Sequence, residues 1–335
     1  MDFRVVHVVP PLLPPGDRGH FHAKIRGEYY MPNISTVSAV INGQTYNLTL
    51  DSASGKYKAT ITAPSKSSYN QTGHYYDVKV TAEDEYGNTA SADSTHATLG
   101  ESLQLRVKEK TKPVIAVTAP TAGATVTNNK PAIKINVTDS DSGIDTSTFK
   151  LYIDNGSAIT WSSGSASAIT NGYTWTYTPT TALSDGSHTL KIDVSDHDGN
   201  AATQKTSTFK VDTTPPSLSV YTPADNYYTN VTTLTLTGTT NDATSSPVTI
   251  TIKVNNVDAG VVTVQSNGNF SKSITLISQM SPNVIVVTAT DGAGKTSSVT
   301  RNVYCNTIAP YISNVTIEPN PVDAGATYVI TVTVS

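Results

Sequence analysis

One strand-and-turn unit recurs three times along the chain. It reads Val78-x-Val80-x-Ala82-x-Asp84-x-x-Gly87-Asn88, then Leu190-x-Ile192-x-Val194-x-Asp196-x-x-Gly199-Asn200, then Ile285-x-Val287-x-Ala289-x-Asp291-x-x-Gly294-Lys295. Three apolar residues at alternate positions define a strand with one buried face. The Asp accepts backbone hydrogen bonds from the turn it opens, and the Gly takes the positive φ that closes it. A chain cut three times to this pattern is expected to fold as a string of small β-domains.

Composition narrows the class. The chain has 335 residues, a formal net charge of −4 and only 14% charged residues. A nucleic-acid binder would carry a basic patch or stripe, so nucleic acid is not an expected partner. Thr, Ser, Asn and Val dominate while Met numbers three, which favours strands over helices. No window holds the ~18 apolar residues of a membrane-spanning helix, so no membrane insertion is expected. The lone cysteine, Cys305, has no disulfide partner and reads as a small core residue.

Proline-rich joints separate the repeats, at Lys112-Pro113-Val114, Thr214-Pro215-Pro216 and Ala309-Pro310-Tyr311. Proline suits the start of a strand and stiffens a joint. The Asp markers lie roughly a hundred residues apart, an interval that suits seven-stranded sandwiches. The expected modules are residues 22–110, 111–212 and 213–307, with 308–335 opening a fourth. In the second module, Phe149 to Ile153 followed by Asn155-Gly156 predicts a tight hairpin. In the third, Val261 to Val264 is an expected strand.

Residues 1–21 differ. Pro10, Pro11, Pro14 and Pro15 favour an extended conformation, and Val5, Val6, Val8, Val9, Leu12 and Leu13 belong to no module. They form either a docking arm that adds to a partner's groove or sheet edge, or a disordered tail. The start does not read as a secretory signal, because the apolar run is short and Pro10 stops it. If Met1 is native, the chain is expected not to be exported by the ordinary route.

Asp141-Ser-Gly143-Ile144-Asp145, Leu183-Ser-Asp185-Gly186-Ser-His188, Asp196-x-x-Gly199-Asn200 and Val211-Asp212-Thr213-Thr-Pro215-Pro216 carry a family resemblance. Residues 111–307 resemble bacterial immunoglobulin-like domains; the likeness is looser over 22–110. It implies an all-β chain of tandem immunoglobulin-like sandwiches, here with an extended N-terminal arm. Such domains occur in cell-surface adhesins, in secreted glycosidases and in phage tail proteins. With no signal and no disulfide, the resemblance implies a phage tail or baseplate component of the virion. Its arm would dock other tail proteins, and its modules, in many copies, would grip a host-surface glycan. The alternative is a bacterial surface adhesin, or the stalk of a secreted glycan-active enzyme.

Candidate chemistry is sparse. Asp139, Asp141 and Asp145 place oxygens at alternate positions and are Ca²⁺ candidates, against a plain Asx-rich turn. Asp193, Asp196 and Asp198 form a second acidic group, with Asp196 read mainly as a turn residue. No other cofactor is expected. His20 and His22 share one side of a strand, without a third ligand nearby. No Gly-x-Ser-x-Gly elbow, His-Glu-x-x-His or phosphate loop is present, so no catalytic residue is named and no enzyme is expected. Trp161 and Tyr228 are possible glycan contacts, against packing roles, while Trp175 reads as core.

Overall fold

The computed structural model describes residues 32–335. The expected docking arm with Val5 to Leu13, together with His20, His22, Tyr29 and Tyr30, lies outside the described residues. The chain divides into two compact units, and the division runs through the second module.

The first module holds β1 (Ile34–Ile41), β2 (Gln44–Asp51), β3 (Lys56–Lys58), β4 (Tyr76–Asp84), β5 (Thr89–Ala92) and β6 (Gln104–Leu105). They form one antiparallel sheet in the order β3-β2-β1-β4-β5, with β6 on the end of β4. Among the described residues these are the strands of the first module. Its core is Val37, Ala39, Val80 and Leu103, and Leu103 comes from a 3-10 turn laid on the sheet.

The second module is a sandwich of two sheets. Its strands are β7 (Val114–Ala119), β8 (Thr125–Val126), β9 (Ile133–Thr138), β10 (Ile144–Ile153), β11 (Ile159–Thr160), β12 (Ser165–Ile169), β13 (Gly172–Tyr177), β14 (Gly186–Asp196) and β15 (Lys205–Val211). One sheet runs β12-β13-β9-β7 and the other β11-β10-β14-β15-β8. Alternation places Ile133, Ile135, Val137, Leu190, Ile192 and Val194 inward and buried. Asn155 has a positive φ at the turn after β10, as expected of it. Ladder pairing with β11 begins further out, at Leu151 and Ile159. The turn itself is tight: Asp154 and Asn155 are both left-handed, and the Gly156 N–H closes it on the Ile153 carbonyl at 2.9 Å, one residue earlier than Asn155-Gly156.

The third module repeats the plan with β16 (Ser217–Thr222), β17 (Tyr227–Thr229), β18 (Thr233–Asn241), β19 (Thr249–Val254), β20 (Val257–Asp258), β21 (Asn269–Thr275), β22 (Asn283–Thr290) and β23 (Thr296–Cys305). Its sheets are β16-β18-β21 and β17-β23-β22-β19-β20. Leu236, Ile252, Ile285, Val287 and Cys305 are buried in its core. Cys305 is therefore the small core residue its alternation implied. The strand expected over Val261 to Val264 reduces to one bridge, Val264 with Phe270, and Val261 is exposed. After Pro310, β24 (Ile312–Glu318) and β25 (Val329–Val334) pair as a hairpin. Among the described residues no helix is long and apolar enough to cross a membrane.

Candidate functional site

The recurring Asp builds its turn in the same way each time. Asp84 Oδ1 accepts the N–H of Tyr86 and of Asn88, both at 2.9 Å. Asp196 Oδ1 accepts the Asn200 N–H at 2.8 Å, and Asp291 Oδ1 accepts those of Ala293 and Lys295 at 2.8 and 2.9 Å. The Gly that follows has φ of 84°, 91° and 83° in the three copies. The second carboxylate oxygen differs between copies. Asn88 and Asn200 each donate their side-chain amide to it, at 2.9 and 2.8 Å. The third copy has Lys295 there, and Asp291 Oδ2 is buried without a protein donor.

Two of these turns meet carboxylates from elsewhere. Glu109, Asp139 and Asp196 each offer an oxygen within 4.8 Å of the others, and so do Asp212, Asp242 and Asp291. The two groups are built alike. Glu109 and Asp212 lie in the linkers, each four residues before a proline, Pro113 and Pro216. Asp139 follows β9 and Asp242 follows β18, while Asp196 ends β14 and Asp291 follows β22.

In each group most carboxylates spend one oxygen on the backbone. Asp139 Oδ1 accepts the N–H of Asp141 at 3.0 Å and of Gly143 at 2.9 Å. Asp242 Oδ1 accepts those of Thr244 and Ser245 at 2.8 and 2.6 Å, and Asp212 Oδ1 that of Thr214 at 3.2 Å. Glu109 Oε1 takes the Ser142 N–H and hydroxyl, both at 2.9 Å. The other oxygens of Glu109, Asp139, Asp212 and Asp291 are buried with no protein donor. Asp212 is 0% exposed, Asp291 6% and Asp139 7%. Among the described residues the one ion pair is Lys58 with Asp51, so no side-chain cation offsets either group. At such separations and an effective dielectric of about 20, each pair of charged carboxylates repels by about 3 kcal/mol. Burial, reinforced by the Glu109 charge, accordingly pushes the Asp139 carboxyl above its ordinary value, against the N–H groups of Gly143 and Asp141.

The three expected calcium candidates do not converge. Only Asp139 enters a cluster. Asp141 turns its carboxylate to the Ser67 N–H of the first module, with both oxygens at 3.1 Å, and its carbonyl accepts the Asn70 amide. Asp145 caps Ser147 through its N–H and hydroxyl. The reason is the β10 strand that starts at Ile144, which carries Asp145 away from the loop. Asp193, Asp196 and Asp198 also separate: Asp193 holds the Gln204 amide and Asp198 accepts the Glu109 N–H at 3.0 Å. Glu109, Asp212 and Asp242 were missed. Laying the second and third modules over each other at Pro113 and Pro216 pairs Glu109 with Asp212 and Asp139 with Asp242, a signal of equivalent positions that carries no sign of their meeting.

Of the aromatics, Trp175 is 0% exposed and donates its indole N–H to the Trp161 carbonyl at 2.9 Å. Trp161 packs against Phe149, Tyr173 and Trp175 and is half-buried, so it stands less free than a sugar platform requires. Tyr228 is 72% exposed and stacks on Tyr304 with ring centres 4.7 Å apart. His188 lies within β14 and is buried, with Nε2 2.8 Å from the Ser184 carbonyl.

Residues 113–192 match the family model of a bacterial Ig domain, and residues 216–307 match that of glucodextranase, domain B. This chain carries tandem immunoglobulin-like domains of bacterial type. No match is found among curated proteins. Among solved structures, the fibronectin(III)-like modules of Clostridium thermocellum CbhA are 18% identical, cover 58% of this chain and 94% of their own, and give a TM-score of 0.33. A three-Ig segment of titin is 12% identical over 82% of this chain and 94% of its own, with a TM-score of 0.40. Sidekick-1 immunoglobulin domains 1–5 are 13% identical over 85% of this chain and 56% of their own, with a TM-score of 0.38.

Proposed function

We propose that these immunoglobulin-like modules form a non-enzymatic structural and adhesive array, giving reach between an anchor and a surface. The observation that carries this reading is the hydrogen-bonded joint between the first and second modules. Asp141 accepts the Ser67 N–H, Asp198 accepts the Glu109 N–H, and the Tyr69 and His197 rings stack 4.0 Å apart. A tied joint resists bending, as a spacer requires. The finer reading is a phage tail or baseplate component, anchored through Val5 to Leu13 in many copies and contacting a host-surface glycan. A fold held without disulfides, its one thiol buried, suits a chain folded in a reducing cytoplasm. Tyr228 and Tyr304 offer an exposed aromatic face of the kind sugars stack on.

A second reading is the stalk of a secreted glycan-active enzyme or a bacterial surface adhesin. The match of residues 216–307 to a glucodextranase domain supports it. The deciding experiment is localisation: co-purification with intact virions and position by electron microscopy. Presence on the tail supports the first reading, and recovery only from cell walls removes it. Binding of labelled protein to purified host wall glycan tests adhesion in either setting. Tyr228→Ala is expected to weaken that binding several-fold without lowering the melting temperature. Removing residues 1–21 is expected to abolish assembly onto the tail.

A further inference from the structure

We propose that the two carboxylate clusters are calcium sites, Glu109–Asp139–Asp196 at the entrance to the second module and Asp212–Asp242–Asp291 at the entrance to the third. A turn needs one acceptor from its own Asp. It does not need three loops to bring carboxylates within 4.8 Å of one another. On Asp139, Asp212 and Asp291 the turn-building work falls on one oxygen, and the buried second oxygen remains without a donor, while Asp196 Oδ2 takes the Asn200 amide. Like charges gathered out of water with no Lys or Arg paired to them are held together most simply by a cation. The arrangement appears twice at equivalent places, with Glu in one linker and Asp in the other. Carboxylate is therefore the common factor, not one residue's shape.

The donor set is all oxygen, which selects a hard cation over zinc. Ca²⁺ fits better than Mg²⁺, because it takes six to eight oxygens in a flexible cage while Mg²⁺ demands a regular octahedron and keeps its water. Ser245 adds a candidate neutral ligand to the second cluster: its N–H donates to Asp242, and its buried hydroxyl has no protein partner. The bound ion would tie each linker, through Glu109 or Asp212, to the strand ends of the module it enters. The sites are independent of whether the array serves a virion or a cell surface.

The test is titration of the EDTA-treated full chain with calcium chloride, read by calorimetry and by melting temperature. Two binding events per chain are expected, with dissociation constants on the order of 10⁻⁵ to 10⁻³ M, together with a calcium-dependent rise in Tm that magnesium reproduces only weakly. Asp212→Asn keeps Oδ1 for the Thr214 N–H, so its turn survives. It is expected to remove one event and, in EDTA, to melt no lower than the parent, because a like charge has gone. Glu109→Gln is expected to remove the other event. Asp145→Asn, whose carboxylate serves Ser147, is expected to leave both. A merely structural carboxylate would give the reverse: Asp212→Asn melting lower in EDTA, and no calcium heat in any chain. The absence of saturable calcium heat and of any Tm difference between calcium and EDTA in the parent overturns the proposal. So does a calcium response that survives Asp212→Asn and Glu109→Gln combined. Should Asp212→Asn fail to fold, native mass spectrometry of the parent decides, two bound calcium ions supporting the assignment and none overturning it.

Discussion

Asn200 joins the turn after β14 to the linker that enters the second module: its side-chain amide donates to the Glu109 carbonyl at 3.2 Å and to Asp196 Oδ2 at 2.8 Å. One amide thus spans two segments far apart in sequence. Asn200→Ala removes both bonds and leaves a buried carboxylate oxygen short of a donor. The expected cost is about 2 kcal/mol, read as a lower urea midpoint with an unchanged m-value.

Two glycines separate backbone strain from steric conflict. Gly199 has φ of +91° and open space where a Cβ would stand. Gly199→Ala is expected to cost about 1 kcal/mol, the conformational term alone. A Cβ on Gly172 would meet the Val137 carbonyl oxygen at 2.0 Å and the Thr138 Cα at 2.8 Å. The β13–β9 pair must then part, and Gly172→Ala is expected to cost more, about 2–4 kcal/mol. Equal midpoints for the two variants would contradict this assignment.

Acid sensitivity is expected at the second joint. The Thr214 hydroxyl at 2.6 Å, followed by the hydroxyl and N–H of Thr213 at 2.8 Å, holds the Asp185 carboxyl below its ordinary value, against burial. The folded state therefore binds this proton less readily than the unfolded chain. Its stabilisation is full above about pH 4, the ordinary carboxyl value, and is lost as pH falls through the folded value. Urea midpoints measured from about pH 6 to pH 2 are expected to fall less steeply in Asp185→Asn.

Separate cores should fail separately. Residues 213–307 produced alone are expected to melt cooperatively. In that fragment Ile252→Ala, at a fully buried position, is expected to cost about 2–5 kcal/mol. In the whole chain, Trp175→Ala is expected to unfold the second module while the third keeps its own transition. A single transition shifted by both substitutions would refute modular stability.

Strand pattern was legible where side chains alternate strongly. Ile133 to Val137, Leu190 to Val194 and Ile285 to Ala289 each emerged as a strand with the expected face buried. Short pieces such as Thr125–Val126 and Tyr227–Thr229 were not, because two or three residues carry no period. They are strands only through parallel pairing with β15 and β23. Val261 to Val264 shows the converse: four β-favouring residues found no neighbour on both sides and stayed largely unpaired.

By itself the sequence determined the class of fold, the repeated Asp-x-x-Gly turn and the proline joints, because period, turn chemistry and proline act over neighbouring residues. Only the tertiary structure decided which carboxylates meet. Asp139, Asp141 and Asp145 are near in sequence, yet they serve a cluster, a joint between modules and a local cap. Glu109 and Asp196 are distant in sequence and share one site. Proximity in space is set by strand pairing and sheet packing, which no local spacing encodes.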